Sequence, residues 1–126
     1  MRGARVVRDQ VLNNLSRGKF KAYVVWTPVL FGDRRAAAEE SLREVPDPRV
    51  THFWDRNRFL GTQFGKTLDL PHGKKFAWDV YLLYDARAYW GDHPPEPNDF
   101  MHQLGQDARR LDGEKLRKKV AALLEQ

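Results

Sequence analysis

Short runs of β-branched and aromatic residues alternate along this chain with stretches of helical period, and that alternation restricts its architecture more than any other feature. Val6, Val7, Val11, Leu12 and Leu15 recur at helical spacing, and Gly18 supplies a stop. Lys19–Thr27 carries Tyr23, Val24, Val25 and Trp26 in succession, so it reads as a buried strand ended by Pro28. Asp33 is placed to cap a helix that starts at Arg34 and runs through Ala36–Ala38 and Leu42 towards Val45. Pro46-Asp47-Pro48 ends it, because proline lacks the backbone donor and disfavours helix in the residue before it.

The second half repeats the alternation. Arg49–Trp54 reads as a short strand, and Asp55 or Asn57 caps a helix through Phe59, Leu60, Gln63, Phe64 and Leu68. Pro71-His72-Gly73 is a turn signal. Phe76–Tyr84, with Val80, Tyr81, Leu82 and Leu83 in one run, is the strongest strand of the chain. Asp85-Ala86-Arg87 reads as a hairpin tip, Ala88–Trp90 as the return strand, and the segment from Asp92 to Asn98 as a proline-rich loop. Asp112 caps a last helix with Leu116, Val120, Leu123 and Leu124 on one stripe. The order is therefore α-β-α-β-α-β-β-α, an α/β layer structure, with its last two strands antiparallel because the turn between them is short. No internal repeat or linker divides it, so residues 1–126 read as one domain.

Composition excludes several classes. The 41% hydrophobic and 12% aromatic content is enough for a modest core despite 31% charged residues. No apolar run approaches the roughly 18 residues a membrane span needs, and no signal-peptide core follows Met1. The chain as given is expected to be soluble and cytoplasmic. It contains no cysteine, which removes disulfides, thiolate nucleophiles and thiolate metal sites together. The net charge of +5 raises nucleic acid as a partner. Yet the basic patches at Met1–Arg8 and Arg109–Lys119 sit in helical patterns, and the second is interleaved with Asp112 and Glu114, the spacing of a solvated face.

From its first helix onward the element order resembles the thioredoxin fold, closest to its thiol-reductase and peroxiredoxin-like branch. The segments that carry the resemblance are Val50–Asp55, Arg58–Leu70, Phe76–Tyr84, Asp85-Ala86-Arg87, Ala88–Trp90 and Asp112–Leu124. The resemblance implies a three-layer α/β/α domain with the first helix in the place of the active-site helix. The chain departs from the family in three ways. It has no Cys-x-x-C. It has no proline in Phe76-Ala77-Trp78-Asp79, where the family carries a cis-proline whose non-proline equivalent costs about 2.5–4 kcal/mol. It also has no strand before the first helix, and in the family that strand lies mid-sheet. Its loss leaves two edges of unpaired N–H and C=O groups. The remaining strands close up, a partner chain or a second copy completes the sheet, or Met1 is internal to a longer protein; the last two are favoured.

Other constellations are less specific. Gly61-Thr62-Gln63-Phe64-Gly65-Lys66-Thr67 is one residue short of a phosphate loop and lies within a helical pattern, where glycines serve close packing. Asp92, His93, Glu96, Asp99 and His102 cluster in one segment and could hold a hard or borderline metal, against the alternative of a polar loop with surface histidines. Trp54-Asp55 and Trp78-Asp79 flank strands and are candidates to face a ligand, with capping by Asp55 and strand entry at Asp79 as the simpler roles. Ser16 and Ser41 lie in helical patterns without a nucleophile elbow. No cofactor is implied. The expected function is a thioredoxin-like domain without redox cysteines, serving as an interaction module or as the C-terminal part of a thiol-disulfide reductase whose active motif lies upstream. A basic nucleic-acid-associated module and a small metal-binding protein using residues 92–102 are the alternatives.

Overall fold

The computed structural model describes residues 2–28 and 35–126, apart from the side chains of residues 37 and 38. The expected Asp33 cap lies outside the described residues. Helix α1 (Arg2–Val6) widens into a π-helical segment, Val7–Leu12, whose exit is marked by Asn13 N donating to Arg8 O at 2.9 Å. Strand β1 (Ala22–Trp26) follows, then α2 (Arg35–Ser41), which tightens into a 3-10 turn at Leu42–Glu44 before Pro46. Next come β2 (Val50–Trp54), α3 (Phe59–Thr67), a 3-10 turn at Pro71–Gly73, β3 (Val80–Leu83), β4 (Asp99–His102) and α4 (Gly113–Leu124). The class is mixed α/β. Among the described residues no helix is long and apolar enough to cross a membrane.

The strands form two separate two-stranded sheets. β1 and β2 are parallel, from Ala22 opposite Val50 to Trp26 opposite Trp54. β3 and β4 are antiparallel, from Val80 opposite His102 to Leu83 opposite Asp99. The described strands therefore do not close into one sheet.

The β3–β4 pair is covered on both faces, as the period-2 alternation of its residues requires. Val80, Leu82 and Phe100 pack with Leu60, Phe64, Leu70 and Ala77 on the α3 side. Tyr81, Leu83 and Met101 pack with Val7, Val11, Leu116 and Val120, from the first helical segment and α4. Full burial of a side chain such as Phe64 or Leu116 stabilises by about 1.5–3 kcal/mol. The two glycines of the 61–67 segment set how closely α3 approaches. A Cβ on Gly61 would stand 2.4 Å from the Phe76 ring, and one on Gly65 would stand 1.9 Å from the Lys75 carbonyl oxygen. Close packing is what that spacing encodes.

Two strand expectations are corrected. The return strand is Asp99–His102, not Ala88–Trp90. The turn at Asp85-Ala86-Arg87 does form, with Ala88 N donating to Asp85 O at 3.2 Å, but Tyr89 behind it is 83% exposed. Phe100 and Met101 face opposite clusters, whereas Ala88–Trp90 offers no such two-sided burial. The strand expected over Phe76–Tyr84 begins only at Val80. Ala77 N is bound to Gly61 O at 2.9 Å, and Asp79 turns with a left-handed φ of 49°.

The first helical segment is tied to both sheets. Beneath it Tyr81 fills the space where Gly3 lacks a side chain, the hydroxyl lying 1.5 Å from where a Cβ would be. Towards the other sheet, Arg8 Nη1 donates to Glu44 O at 3.0 Å, and Arg49 donates to Leu12 O at 2.8 Å and Leu15 O at 2.6 Å. Arg49 opens β2, since Ala22 N donates to its carbonyl at 3.0 Å.

Candidate interaction site

Backbone hydrogen bonds flanking each ladder fix which groups point outward. In the parallel pair, Ala22 N bonds Arg49 O and Asp55 N bonds Trp26 O, so Ala22, Val24 and Trp26 face β2. Tyr23 and Val25 then direct their N–H and C=O away from β2, and His52 and Trp54 direct theirs away from β1. In the antiparallel pair Gln103 N bonds Asp79 O at 2.9 Å, so Tyr81 and Leu83 exchange bonds with β4, and Val80 and Leu82 point outward.

The outer edge of β4 is sealed. His102 N donates to Arg109 O at 2.9 Å, and Leu111 N donates to His102 O at 2.8 Å. Phe100 N donates to its neighbour's carboxylate, Asp99 Oδ1, at 2.8 Å, and Phe100 O accepts from Arg109 Nη1 at 3.0 Å. The outward backbone groups of Tyr23 and Val25 on β1, of His52 and Trp54 on β2, and of Val80 and Leu82 on β3 have no such partner among the described residues. Edges of this kind are templates for another strand.

The side chains at these edges differ. On one face of the β1–β2 pair, Tyr23 is 62% and Phe53 51% exposed, with their rings 6.2 Å apart. Parallel sheets are ordinarily covered on both faces. On the other face Trp26 Nε1 donates to His52 Nδ1 at 3.1 Å, which assigns the His52 proton to Nε2.

The residues singled out from the sequence fall elsewhere. Asp55 caps α3, its two carboxylate oxygens accepting from Phe59 N at 3.0 Å and Leu60 N at 2.8 Å. Trp54 ends β2 half-buried, opposite Trp26. Trp78 stacks on Phe76 with centroids 6.1 Å apart, and Lys74 Nζ sits 4.9 Å over its ring. Asp79 is an exposed left-handed entry to β3, in a different sheet from Asp55, so the four do not form one site.

The segment 92–102 does not assemble a ligand set. Asp92, His93 and Glu96 are exposed. Asp99 is held by Arg109 Nη1 at 2.7 Å and by Lys119 Nζ. Burial works to raise its carboxyl, but the hydrogen bonds from Lys119 and Arg109 outweigh that and hold it below the usual carboxylate range. His102 is fully buried, with Nε2 2.9 Å from Asp107 Oδ1 and Nδ1 accepting from Leu104 N at 3.2 Å. Its two nitrogens are thereby spent within the fold. Among the described residues no group of three or more His, Asp or Glu side chains could hold a metal.

Part of each basic patch is ion-paired, and within the second patch only Lys118 pairs with an interleaved acid. Arg5 and Arg8 meet Glu44, Lys118 meets Glu114, and Lys119 meets Asp99. Open edges were expected from the absent strand, but the residues at them were not named, since every residue carries the same backbone groups and only the ladder shows which are used. Comparison with protein-family models, with curated proteins and with solved structures finds no match.

Proposed function

We propose that this chain is a thioredoxin-like α/β module without redox thiols, and that it acts as an interaction domain whose divided sheet is completed by a strand from outside the two pairs. The observation that carries this reading is the division itself. Two pairs, each with an open edge, share one helical segment, which packs on β3 and is pinned to the start of β2. The order of elements after that segment supports the thioredoxin-like assignment. No thiol exists in the chain, so disulfide exchange is not chemistry its own residues perform.

The completing strand comes from a separate chain or from residues encoded ahead of Met1. In the second case this is the C-terminal part of a thiol-disulfide reductase. Sequencing the DNA before Met1 separates the two.

The test of the module reading is backbone amide exchange in the isolated protein. The amides of Tyr23, Val25, Val80 and Leu82 should exchange fast, while those of Val24 and Tyr81, bonded within the ladders, are protected. Protection of all six would mean that the sheet is already closed and would overturn the reading. Disulfide reduction above the rate of a thiol-free buffer would overturn it equally.

A further inference from the structure

We infer that the open face of the β1–β2 pair binds single-stranded nucleic acid, with bases stacked on Tyr23 and Phe53 and phosphates held by Lys19 and Lys21. The inference concerns the face of the pair and not its edges, so it stands apart from the strand-completion reading above.

Alternation brings these four side chains to one side. From Lys19 to Val24 exposure alternates without a break: Lys19, Lys21 and Tyr23 face solvent, and Phe20, Ala22 and Val24 between them are half-buried. Phe20 packs against the cluster of Val11, Met101 and Leu116, which fixes the inward side. Across the ladder Tyr23 lies opposite Thr51 and Val25 opposite Phe53, so Thr51 and Phe53 share the outward side.

The two rings are free to take a flat partner. More than half of each is open to solvent. Four other rings are capped by cations: Phe20 by Arg49, Phe76 by Arg58, Trp78 by Lys74 and Phe100 by Arg109. Among the described residues no cation covers Tyr23 or Phe53. Their centroids are 6.2 Å apart, nearly twice the about 3.4 Å rise per nucleotide of a stacked strand. Each ring therefore serves one base of an unstacked strand. A duplex, whose bases are already stacked and paired, offers no free base face.

Charge selects a polyanion. Lys19 and Lys21 form no ion pair among the described residues. The acids flanking β2 are committed, Asp47 to Arg49 and Asp55 to the amides of α3. Two lysines two residues apart on an extended chain stand roughly 6.6 Å from one another, in line with Tyr23, so they meet successive phosphates of a strand whose bases reach the rings. An anionic lipid surface shares this charge preference, but its hold scales with buried apolar area, and two rings beside a threonine offer little.

The probes are thymidylate and uridylate strands of about eight nucleotides, an abasic strand of the same length, a duplex of the same length, and vesicles containing phosphatidylserine. Each is titrated into isotope-labelled full chain and followed by backbone amide resonances. Both single strands should shift Lys19, Lys21, Tyr23, Thr51 and Phe53, and the abasic strand and the duplex should bind at least tenfold more weakly. Affinity should fall about sevenfold between 50 mM and 200 mM salt, from the slope of about −1.4 that two phosphate contacts to a single strand give. The double variant K19E/K21E, which alters only exposed positions, should abolish that salt dependence. Tyr23→Ala and Phe53→Ala should each lose at least fivefold, whereas Tyr23→Phe and Phe53→Tyr, which keep a ring face, should stay within twofold of the parent. No binding of either single strand, equal binding of the abasic strand, shifts confined to residues 2–8 or 109–119, or vesicles binding in place of the strands would overturn the inference. Self-association that shields both rings before any strand is added would overturn it as well. The edge amides are read without nucleic acid, so none of these results decides the strand-completion reading.

Discussion

Arg49 Nη2 donates to the carbonyl of Leu12 at 2.8 Å, so the guanidinium at the head of one sheet closes the end of the helical segment that packs on the other. The same side chain bonds Leu15 O and the Asp47 carboxylate and lies over the Phe20 ring with 4.6 Å to its centroid. A π-helical end leaves carbonyls without intrahelical partners, and here a cation supplies the donors. Arg49→Ala leaves those carbonyls without the guanidinium in a partly buried place and leaves Asp47 only the backbone amide of residue 49, which together costs about 2–3 kcal/mol. Arg49→Lys recovers less than half, since one ammonium cannot reach the two carbonyls and Asp47 with the geometry of a planar fork. Urea unfolding of both variants against the parent measures this, and a loss below 0.5 kcal/mol for Arg49→Ala, roughly the range of an ordinary surface change, would contradict it.

Gly65→Ala tests close packing against helix propensity. Alanine is better than glycine inside a helix by about 1 kcal/mol. Its Cβ would nonetheless stand 1.9 Å from the backbone oxygen of Lys75, which no side-chain adjustment relieves. Overpacking of this kind costs about 3 kcal/mol, so the net change is destabilising by about 2 kcal/mol. Thermal unfolding gives the sign directly, and a raised midpoint would rule out the contact.

His102→Phe removes a side chain that bonds Asp107 on one side and Leu104 N on the other. The ring shape is roughly kept, but a backbone donor and a carboxylate lose their partner. The expected cost is about 1–3 kcal/mol. Chelators should leave the melting curve of the parent unchanged, because both imidazole nitrogens are already engaged within the fold. A chelator-dependent shift would restore the metal reading of residues 92–102.

Acid stability follows from three carboxylates. Hydrogen bonds from Arg87, first from its side chain and then from its amide, with a further bond from Asn98, hold Asp85 down to about 2. Asp47 is lowered chiefly by the Arg49 side chain, and Asp99 is lowered by Lys119 and Arg109 against its burial. A depressed folded value stabilises the fold at pH above the ordinary carboxylate range, and that contribution is lost as pH falls through the folded value. The unfolding midpoint should therefore drop from about pH 4 to about pH 2, and Asp85→Asn should flatten part of that drop. Equal slopes in the parent and Asp85→Asn would refute the assignment to Asp85.

What the sequence disclosed was what local chemistry decides. Asp55 and Asp112 were legible as caps because an acceptor and the amides it serves lie within five residues, and both make those bonds. The apolar stripe of the last helix was legible for the same reason, and Leu116 and Val120 pack as it implied. The β4 strand was not legible. It is four residues long, it follows a proline-rich stretch, and its position is chosen by Arg109 and Leu111 bonding its far side. The spacing of Asp99 and His102 did not distinguish a metal site from a polar loop; three residues apart on a strand, the two lie on opposite faces and bond different partners. The missing mid-sheet strand pointed to open edges, but which strands pair was not legible, since pairing is a property of edges brought together in space.

The sealed edge of β4 has a bearing on assembly. Stacking of sheets into fibres needs two reactive ends on every unit, and this pair has its far end closed by Arg109, Leu111 and the Asp99 carboxylate. Addition of one copy's β3 to another copy's β4 is therefore blocked, which closes one route to sheet growth.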